Sequence, residues 1–100
     1  MMEKDTLIEL KQALVKEHMI GDINLSHVDK DFYDDVREYI KETKNDEARV
    51  LFAQFKRSRI TKLLRLACAF TDSMSIAEFL APEELQLYRD VTDELERYWQ

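Results

Sequence analysis

Turn-forming residues are nearly missing from this sequence, whose 100 residues include one glycine, Gly21, and one proline, Pro82. Repeated β-hairpins need such residues at their tight turns, so a sheet-rich fold is disfavoured. Leu, Glu, Lys, Ala and Arg are abundant instead, and they lose little side-chain freedom in a helix. Because a 45% hydrophobic content can fill one modest core, a single all-helical domain over residues 1–100 is predicted.

Cysteine and long apolar runs are also scarce. Cys68 stands alone, which excludes an intrachain disulfide and any multi-cysteine zinc or iron–sulfur site. Its apolar neighbours, residues 66–70, favour a packing role over a reactive thiolate. No run approaches the roughly 20 apolar residues of a membrane span, and the first residues lack the apolar core of a secretion signal. We therefore expect a soluble, cytoplasmic protein.

Groups suited to catalysis or metal binding do not converge in the sequence. His18 and His27 are nine positions apart and lack the i, i+4 spacing that places two imidazoles on one helical face. The acids Asp34, Asp35 and Glu38 are explained more simply by the helix dipole and by solubility. An isolated glycine also leaves no phosphate-binding loop. The sequence therefore predicts a protein that is not an enzyme and holds no cofactor or metal.

Hydrophobic spacing predicts a small bundle of four or slightly more helices. A capping box of Thr6 and Glu9 is expected to start the first helix, which ends near Met19, before a left-handed Gly21. A break near Asn45, with one uninterrupted helix as the alternative, divides the next two helices. The second helix is expected to run from Asp31 to the break at residues 44–46, and a third, central and most buried helix to cover residues 47–70. One packed turn is expected within residues 71–81, and the last helix is expected to begin at Pro82.

Charge is unevenly distributed along the chain. Residues 1–47 and residues 67–100 each sum to -6, whereas residues 48–66 sum to +6 and contain no acid. A basic centre between acidic flanks favours pairing inside a fold or an assembly over attraction of nucleic acid by the whole protein. The central cations are Arg49, Lys56, Arg57, Arg59, Lys62 and Arg65.

Arg59 is unusual among these cations because it falls within the apolar arc of the central helix. A cation on a core-facing stripe is costly unless a carboxylate or a carbonyl meets it, and a guanidinium suits such pairing. We therefore predict that Arg59 bridges to another helix or another subunit, with Lys62 and Arg65 as further candidates. The alternative is a small helical nucleic-acid-binding regulator that uses Arg57, Lys62 and Arg65.

An aromatic stripe near the C-terminus comprises Tyr88, Tyr98 and Trp99. Such residues serve equally in cores and at interfaces, where they bury a large area while keeping a polar group, and a core role is slightly favoured. A chain this small cannot hide every apolar side chain. A partner surface is therefore expected.

Three stretches resemble motifs of the GINS replication-factor family. DFYDDVREYI at residues 31–40 is similar to the "DFY...V..YI" helix of archaeal and eukaryotic GINS subunits, and RSRITKLLRLA at residues 57–67 is similar to the "R..KI..LA" helix. LAPEELQLY at residues 80–88 resembles the "LTPEE..LY" start of the last helix, with Ala81 in place of the usual capping Thr or Ser. Their order and spacing carry the resemblance over residues 29–98.

The resemblance implies the A domain of a GINS subunit in which that domain comes first. The family adds a small β-rich B domain, which is not present before Gln100, so a B-less or shortened form is implied. GINS subunits form homo- or hetero-tetramers that link the MCM helicase to a RecJ/DHH-type partner, and no catalytic residues carry over. The implied function is a non-catalytic replication scaffold with no membrane role, in which direct contact with nucleic acid is not expected. The implied location is the cytoplasm, in association with the nucleoid, or the nucleus if the source is eukaryotic.

Overall fold

The computed structural model describes residues 5–21, 23–69 and 71–99, with Trp99 described through its backbone alone. Over these residues the chain is helical and contains no strand, so the predicted all-α class is confirmed. The elements are α1 (Thr6–Met19), α2 (Phe32–Thr43), α3 (Asp46–Cys68), α4 (Ser73–Ile76), a 3-10 turn (Ala77–Phe79) and α5 (Pro82–Trp99). In the described ranges, no helix is both long and apolar enough to cross a bilayer.

The start of α1 differs from the prediction. Asp5, not Thr6, is the N-cap, and its carboxylate accepts a hydrogen bond of 3.1 Å from the Ile8 backbone N–H. Asp5 has the extended backbone that a cap requires, whereas Thr6 is already helical, so the Thr6–Glu9 capping box is wrong. Gly21, with φ of +100°, takes the predicted left-handed conformation after the helix end.

The break between α2 and α3 is confirmed, and the uninterrupted helix is wrong. Lys44 adopts a left-handed backbone, with φ of 52°, and its N–H donates to the Ile40 carbonyl. Asn45 then caps α3 by accepting a 3.1 Å hydrogen bond from the Ala48 N–H. The far end of α3 is Cys68 rather than the predicted Phe70, which lies outside the described residues.

The core consists of two clusters, and α3 contributes to both. One cluster comprises Leu10, Val28, Tyr33, Val36, Ala48, Phe52, Phe55 and Ala81. The other comprises Leu63, Ala67, Ile76, Leu80 and Tyr88. Helices α1, α2 and α5 all pack on α3, which is therefore the central helix, as predicted.

Cys68 is exposed, so its predicted packing role is wrong. The apolar run around it encircles the last turn of α3, but the core covers only one side of that turn. Ala67 faces the core and is fully buried, and Cys68, about 100° further round the helix, faces solvent.

The molecule is elongated, with extents of 52 × 25 × 23 Å. Its radius of gyration is 14.8 Å, against about 13 Å for a compact domain of this length. Its accessible surface is 7128 Å², against roughly 6,000 Å² for a compact monomer of 12.0 kDa. The chain thus exposes more surface than its size requires.

Candidate functional site

Four charged side chains meet in the interior where α1, α3 and α5 converge. Glu17 comes from α1, Arg59 and Lys62 from α3, and Glu84 from α5. Their relative exposures are 0%, 0%, 4% and 5% in that order. Two carboxylates and two cations balance in charge, which is the condition under which buried ions are tolerated. We call these four residues the buried ion cluster.

Arg59 uses every hydrogen-bond donor it has. Its Nε and Nη2 donate to the Glu84 carboxylate at 2.9 and 2.8 Å, and Nη1 donates to Glu17 Oε1 at 2.7 Å. The remaining two bonds go to backbone carbonyls, from Nη1 to Ser26 at 2.6 Å and from Nη2 to Phe79 at 2.7 Å. A guanidinium has five N–H donors, so Arg59 has none left for a further ligand.

The two carboxylates are equally well satisfied. Glu17 accepts from Arg59, from the Lys62 ammonium at 3.1 Å, and from both the N–H and the hydroxyl of Ser26. Glu84 accepts twice from Arg59, from the Tyr33 hydroxyl at 2.8 Å, and from the Ala81 N–H at 3.0 Å. Within the described residues, no buried side-chain nitrogen or oxygen lacks a partner.

Local sequence explains how each helix delivers its charge. Arg59 and Lys62 are three residues apart and therefore share one face of α3. Glu84 occupies the third position of α5, from which a carboxylate can reach back to the cap N–H. This contact explains why Ala81, which cannot cap through its own side chain, is tolerated there: its N–H is satisfied by Glu84 and its methyl group is fully buried.

Electrostatics favour the ionised forms of Glu17 and Arg59. Burial acts to raise the pKa of Glu17, but the hydrogen bond and charge of Arg59, with help from Ser26 and Lys62, outweigh it and lower that pKa. Burial likewise opposes the charge of Arg59, but contacts with Glu84 and Glu17 raise its pKa. Burial first, and then the charge of Glu84, raise the pKa of Tyr33, so its hydroxyl remains a donor at neutral pH.

A second ion pair lies at the edge of the cluster. Arg37 of α2 donates to both carboxylate oxygens of Glu83, at 3.0 and 2.6 Å, and lies 5.7 Å from the centre of the Tyr33 ring. These residues are half exposed, so the pair stabilises less than a buried one. It nevertheless joins the start of α5 to α2.

Some of the sequence-predicted site residues lie in the interior of the fold, and others lie on its surface. Arg59 makes interhelical ion pairs inside the chain, and Lys62 does the same with Glu17. Tyr88 belongs to the core at 1% exposure, and its hydroxyl donates to the Thr71 carbonyl at 2.6 Å. Arg65 is exposed, and Tyr98 is 83% exposed. The side chain of Trp99 lies outside the described residues.

Lys62 requires a correction as a nucleic-acid contact. Its ammonium donates to the Glu17 backbone carbonyl at 2.6 Å as well as to the Glu17 carboxylate. A cation held in this way, with only 5% of its side chain exposed, does not reach a phosphate. The alternative of a nucleic-acid-binding regulator, which relied on Arg57, Lys62 and Arg65, can therefore no longer include Lys62 as a phosphate contact.

The partners of Arg59 were not singled out from the sequence. Glu17 is seven residues after Leu10 and so shares its core-facing side of α1, which was a readable signal. Glu84 lies in the first turn of α5, where the helix dipole by itself accounts for an acid, so its position in the sequence does not indicate a buried partner. Tyr33 gives no signal in the sequence, because the apolar spacing of its neighbours Phe32 and Val36 accounts for the packed face of α2 without it.

A cleft of about 580 Å³ is lined by Ser26 but by none of the four residues of the buried ion cluster. It opens between α1, the connection before α2 and the start of α2, over the rings of Phe32 and Phe55. Acids lie at its edge, but in the described parts of the chain no three His, Cys, Asp or Glu side chains are placed to hold a metal ion.

Comparisons of this chain with protein-family models, with curated proteins and with solved structures return no match. The molecule itself defines the class: an all-helical domain with a closed, charge-balanced centre and with apolar side chains left on its outer helix faces.

Proposed function

We propose that this protein is a non-catalytic scaffold subunit of the DNA-replication machinery, of GINS type. It assembles with copies of itself or with other GINS subunits, and it links the MCM helicase to a RecJ/DHH-type partner in the cytoplasm, at the nucleoid, or in a nucleus. Its fold is the A domain of that family.

The proposal rests on the meeting of the three GINS-like stretches at one place in the fold. Tyr33 comes from the stretch at residues 31–40, Arg59 from residues 57–67, and Glu84 from residues 80–88. The Glu84 carboxylate bonds to both of the other two side chains. Generic amphipathic helices have no reason to place their polar motif residues in one closed network, so the meeting supports a shared architecture rather than a chance likeness.

The chemistry of the cluster supports a scaffold over an enzyme. Every donor of Arg59 is occupied and the cluster is enclosed, so it presents no group to a substrate. Reactive sites, in contrast, need groups within hydrogen-bond reach of a bound molecule. The surface offers apolar side chains instead, among them Val15, Met19 and Leu64, at 57%, 79% and 46% exposure. Exposed apolar patches are typical of protein interaction surfaces.

The test is direct binding between purified proteins. The chain is immobilised and exposed to the MCM helicase and to the RecJ/DHH-type protein of its source organism, from about 0.05 to about 0.5 M salt. We expect saturable binding to at least one of them that persists as salt rises, because apolar contacts are not screened. Duplex and single-stranded oligonucleotides serve as controls. Binding to neither protein, together with salt-sensitive binding to oligonucleotides, would favour the nucleic-acid regulator instead.

A further inference from the structure

A cleft lies between α1 and the start of α2, and we call it the α1–α2 cleft. Its volume of about 580 Å³ falls in the range of roughly 300–1,000 Å³ that is typical of ligand sites. Its apolar lining is buried or half-buried and forms a floor of Ala13, Val28, Phe32 and Phe55. An apolar floor below a charged edge suits a ligand that has an apolar stem and a charged head.

Negative charge dominates the edge of this cleft. Acidic side chains outnumber lysines there by four to two. The acids are Glu9, Asp29, Asp31 and Asp35, and the lysines are Lys16 and Lys30. A cationic ligand is therefore favoured over an anionic one.

Two of these acids make no short hydrogen bond within the described chain. Asp31 occupies the N-cap of α2, but its side chain forms no capping hydrogen bond. The Asp29 carboxylate lies 3.7 Å from the His27 imidazole, which is beyond ordinary hydrogen-bond distance. Both acids are exposed. Their carboxylates can therefore accept hydrogen bonds from a ligand without breaking one that stabilises the fold.

The ring of Phe32 selects the type of cation. It is half-buried in the floor, with its centre 5.2 Å from that of the Phe55 ring. A guanidinium stacks on an aromatic face and donates to a carboxylate at the same time, whereas an ammonium is a compact and strongly hydrated charge. Asp31 directly precedes Phe32, and both line the cleft. Arginine is therefore favoured over lysine.

The connection along the cleft can accept the backbone of a peptide. Residues 24–29 have no regular secondary structure. Within the part of the chain that the structure describes, the N–H and C=O groups of His27 and Val28 form no hydrogen bond with another backbone group. Such groups can pair with an added extended segment. This feature favours a peptide over a free cation such as a polyamine.

We propose that the α1–α2 cleft binds an arginine-bearing, extended peptide segment of a partner protein. The guanidinium lies over the Phe32 ring and donates to Asp31, and an apolar side chain next to the arginine occupies the rest of the floor. The inference does not depend on the proposed function, because the cleft is separate from the exposed apolar side chains that support the scaffold.

The first experiment selects peptides without assuming their sequence. A phage library of random peptides of about 12 residues is selected against the immobilised chain and against a double variant that combines Asp29→Asn with Asp31→Asn. Asparagine keeps the size and the capping ability of aspartate but removes its charge. We expect arginine beside an apolar residue to be enriched on wild type and not on the variant. Enrichment without arginine, equal enrichment on both proteins, or no enrichment overturns the inference.

The second experiment measures the affinity of the most enriched peptide by isothermal titration calorimetry. Replacing its arginine by citrulline, an uncharged isostere, is expected to raise the dissociation constant about tenfold or more, because a charge-assisted hydrogen bond is lost. Asp31→Asn in the protein should have a similar effect. The matched control is Glu42→Gln, an exposed acid of the same helix outside the cleft, which should leave the dissociation constant unchanged. Equal affinities for the arginine and citrulline peptides would contradict the proposal.

Two further variants test the geometry. Lys16→Gln removes a cation from the cleft, so we expect the arginine peptide to bind about threefold more tightly. Phe32→Leu keeps the floor apolar but removes the ring, so the preference for the arginine peptide over its lysine counterpart should disappear. Circular dichroism melts show that the variants are folded. A preference for arginine that survives Phe32→Leu would overturn the assigned position of the guanidinium.

These outcomes are separable from those of the scaffold proposal. If no arginine peptide binds but the chain binds the MCM helicase, the scaffold proposal stands and the cleft inference fails. Conversely, an arginine peptide whose binding is lost through Asp31→Asn, on a chain that binds neither fork protein, upholds the cleft and removes the proposed function.

Discussion

The two halves of α3 are packed in different ways. In its first half, Phe52 and Phe55 join Phe32 and Tyr33 in an aromatic cluster with ring centres 5.2 to 6.1 Å apart. One turn later, at Arg59, the interior holds four charges instead. The burial of apolar surface is a non-directional effect that tolerates volume-conserving substitutions, whereas an ion network depends on every member. The difference indicates that the ion network in the middle of α3 fixes the positions of α1 and α5. The apolar packing in the first half of α3 contributes mainly to the free energy of unfolding.

The largest expected effect is that of Arg59→Ala. The substitution leaves Glu84 buried without a cation and leaves Glu17 with Lys62 alone, and breaking a buried pair from one side costs about 3–5 kcal/mol. Urea denaturation should show this loss against a nearly unchanged Arg49→Ala, since Arg49 is an exposed cation of the same helix. Lys62→Ala should lie between the two because Lys62 has fewer bonds. If Arg59→Ala were as mild as Arg49→Ala, the cluster would not hold the fold together.

Tyr33→Phe tests the bond that connects the aromatic cluster to the ions. The ring stays, but the 2.8 Å hydrogen bond to Glu84 is lost, which costs about 1.5–3 kcal/mol for a bond to a charged group. The raised pKa of Tyr33 means that its stabilisation is complete below its ordinary pKa of 10.0 and is lost as pH rises above it. The variant should therefore be less stable at pH 7 and less sensitive to alkali. Tyr98→Phe, on an 83% exposed residue, should change neither property.

Acid should weaken the ion region through Glu17. Its folded-state pKa is lowered from the ordinary 4.5, so its carboxylate stabilises the fold above that pH, and the stabilisation is lost as pH falls through the lower folded value. Glu17→Gln removes this pH-dependent contribution. The difference in denaturation midpoint between wild type and variant should therefore narrow as pH falls from neutral toward pH 3. A constant difference across that range would assign the acid sensitivity to other carboxylates.

Helix positions could be predicted from local sequence, but the partners inside the fold could not. The break at Lys44 and Asn45, the left-handed Gly21 and the start of α5 at Pro82 follow from short-range rules of capping and turns. The need of Arg59 for a counter-charge was likewise visible on the helical wheel. Which of 21 acids would meet it was not, because that depends on how α1 and α5 pack against α3.

Lys62 and Cys68 also show that burial could not be predicted from local sequence. Lysine is usually exposed and an alanine-flanked cysteine usually buried, so composition misplaces both residues. Lys62 is buried because it lies three residues after Arg59, on the side of α3 that α1 covers, where its ammonium donates a hydrogen bond to the Glu17 carbonyl. Cys68 is exposed because it lies on a side of α3 that the described helices leave uncovered. In both cases tertiary packing overrides the tendency of the residue type.

The smallest expected effect is that of Phe55→Leu, which tests whether the aromatic half of α3 is as tolerant as its packing indicates. Leucine refills most of the space, so we expect a loss of about 1–1.5 kcal/mol with unfolding still cooperative. Arg59 lies 5.9 Å from the centre of the Phe55 ring, and the substitution also removes that cation–π contact. Phe52→Leu is the matched comparison in urea, since its ring meets Lys56 rather than an ion of the cluster. A loss at Phe55 as large as that of Arg59→Ala would mean that the two halves of α3 form one interdependent core.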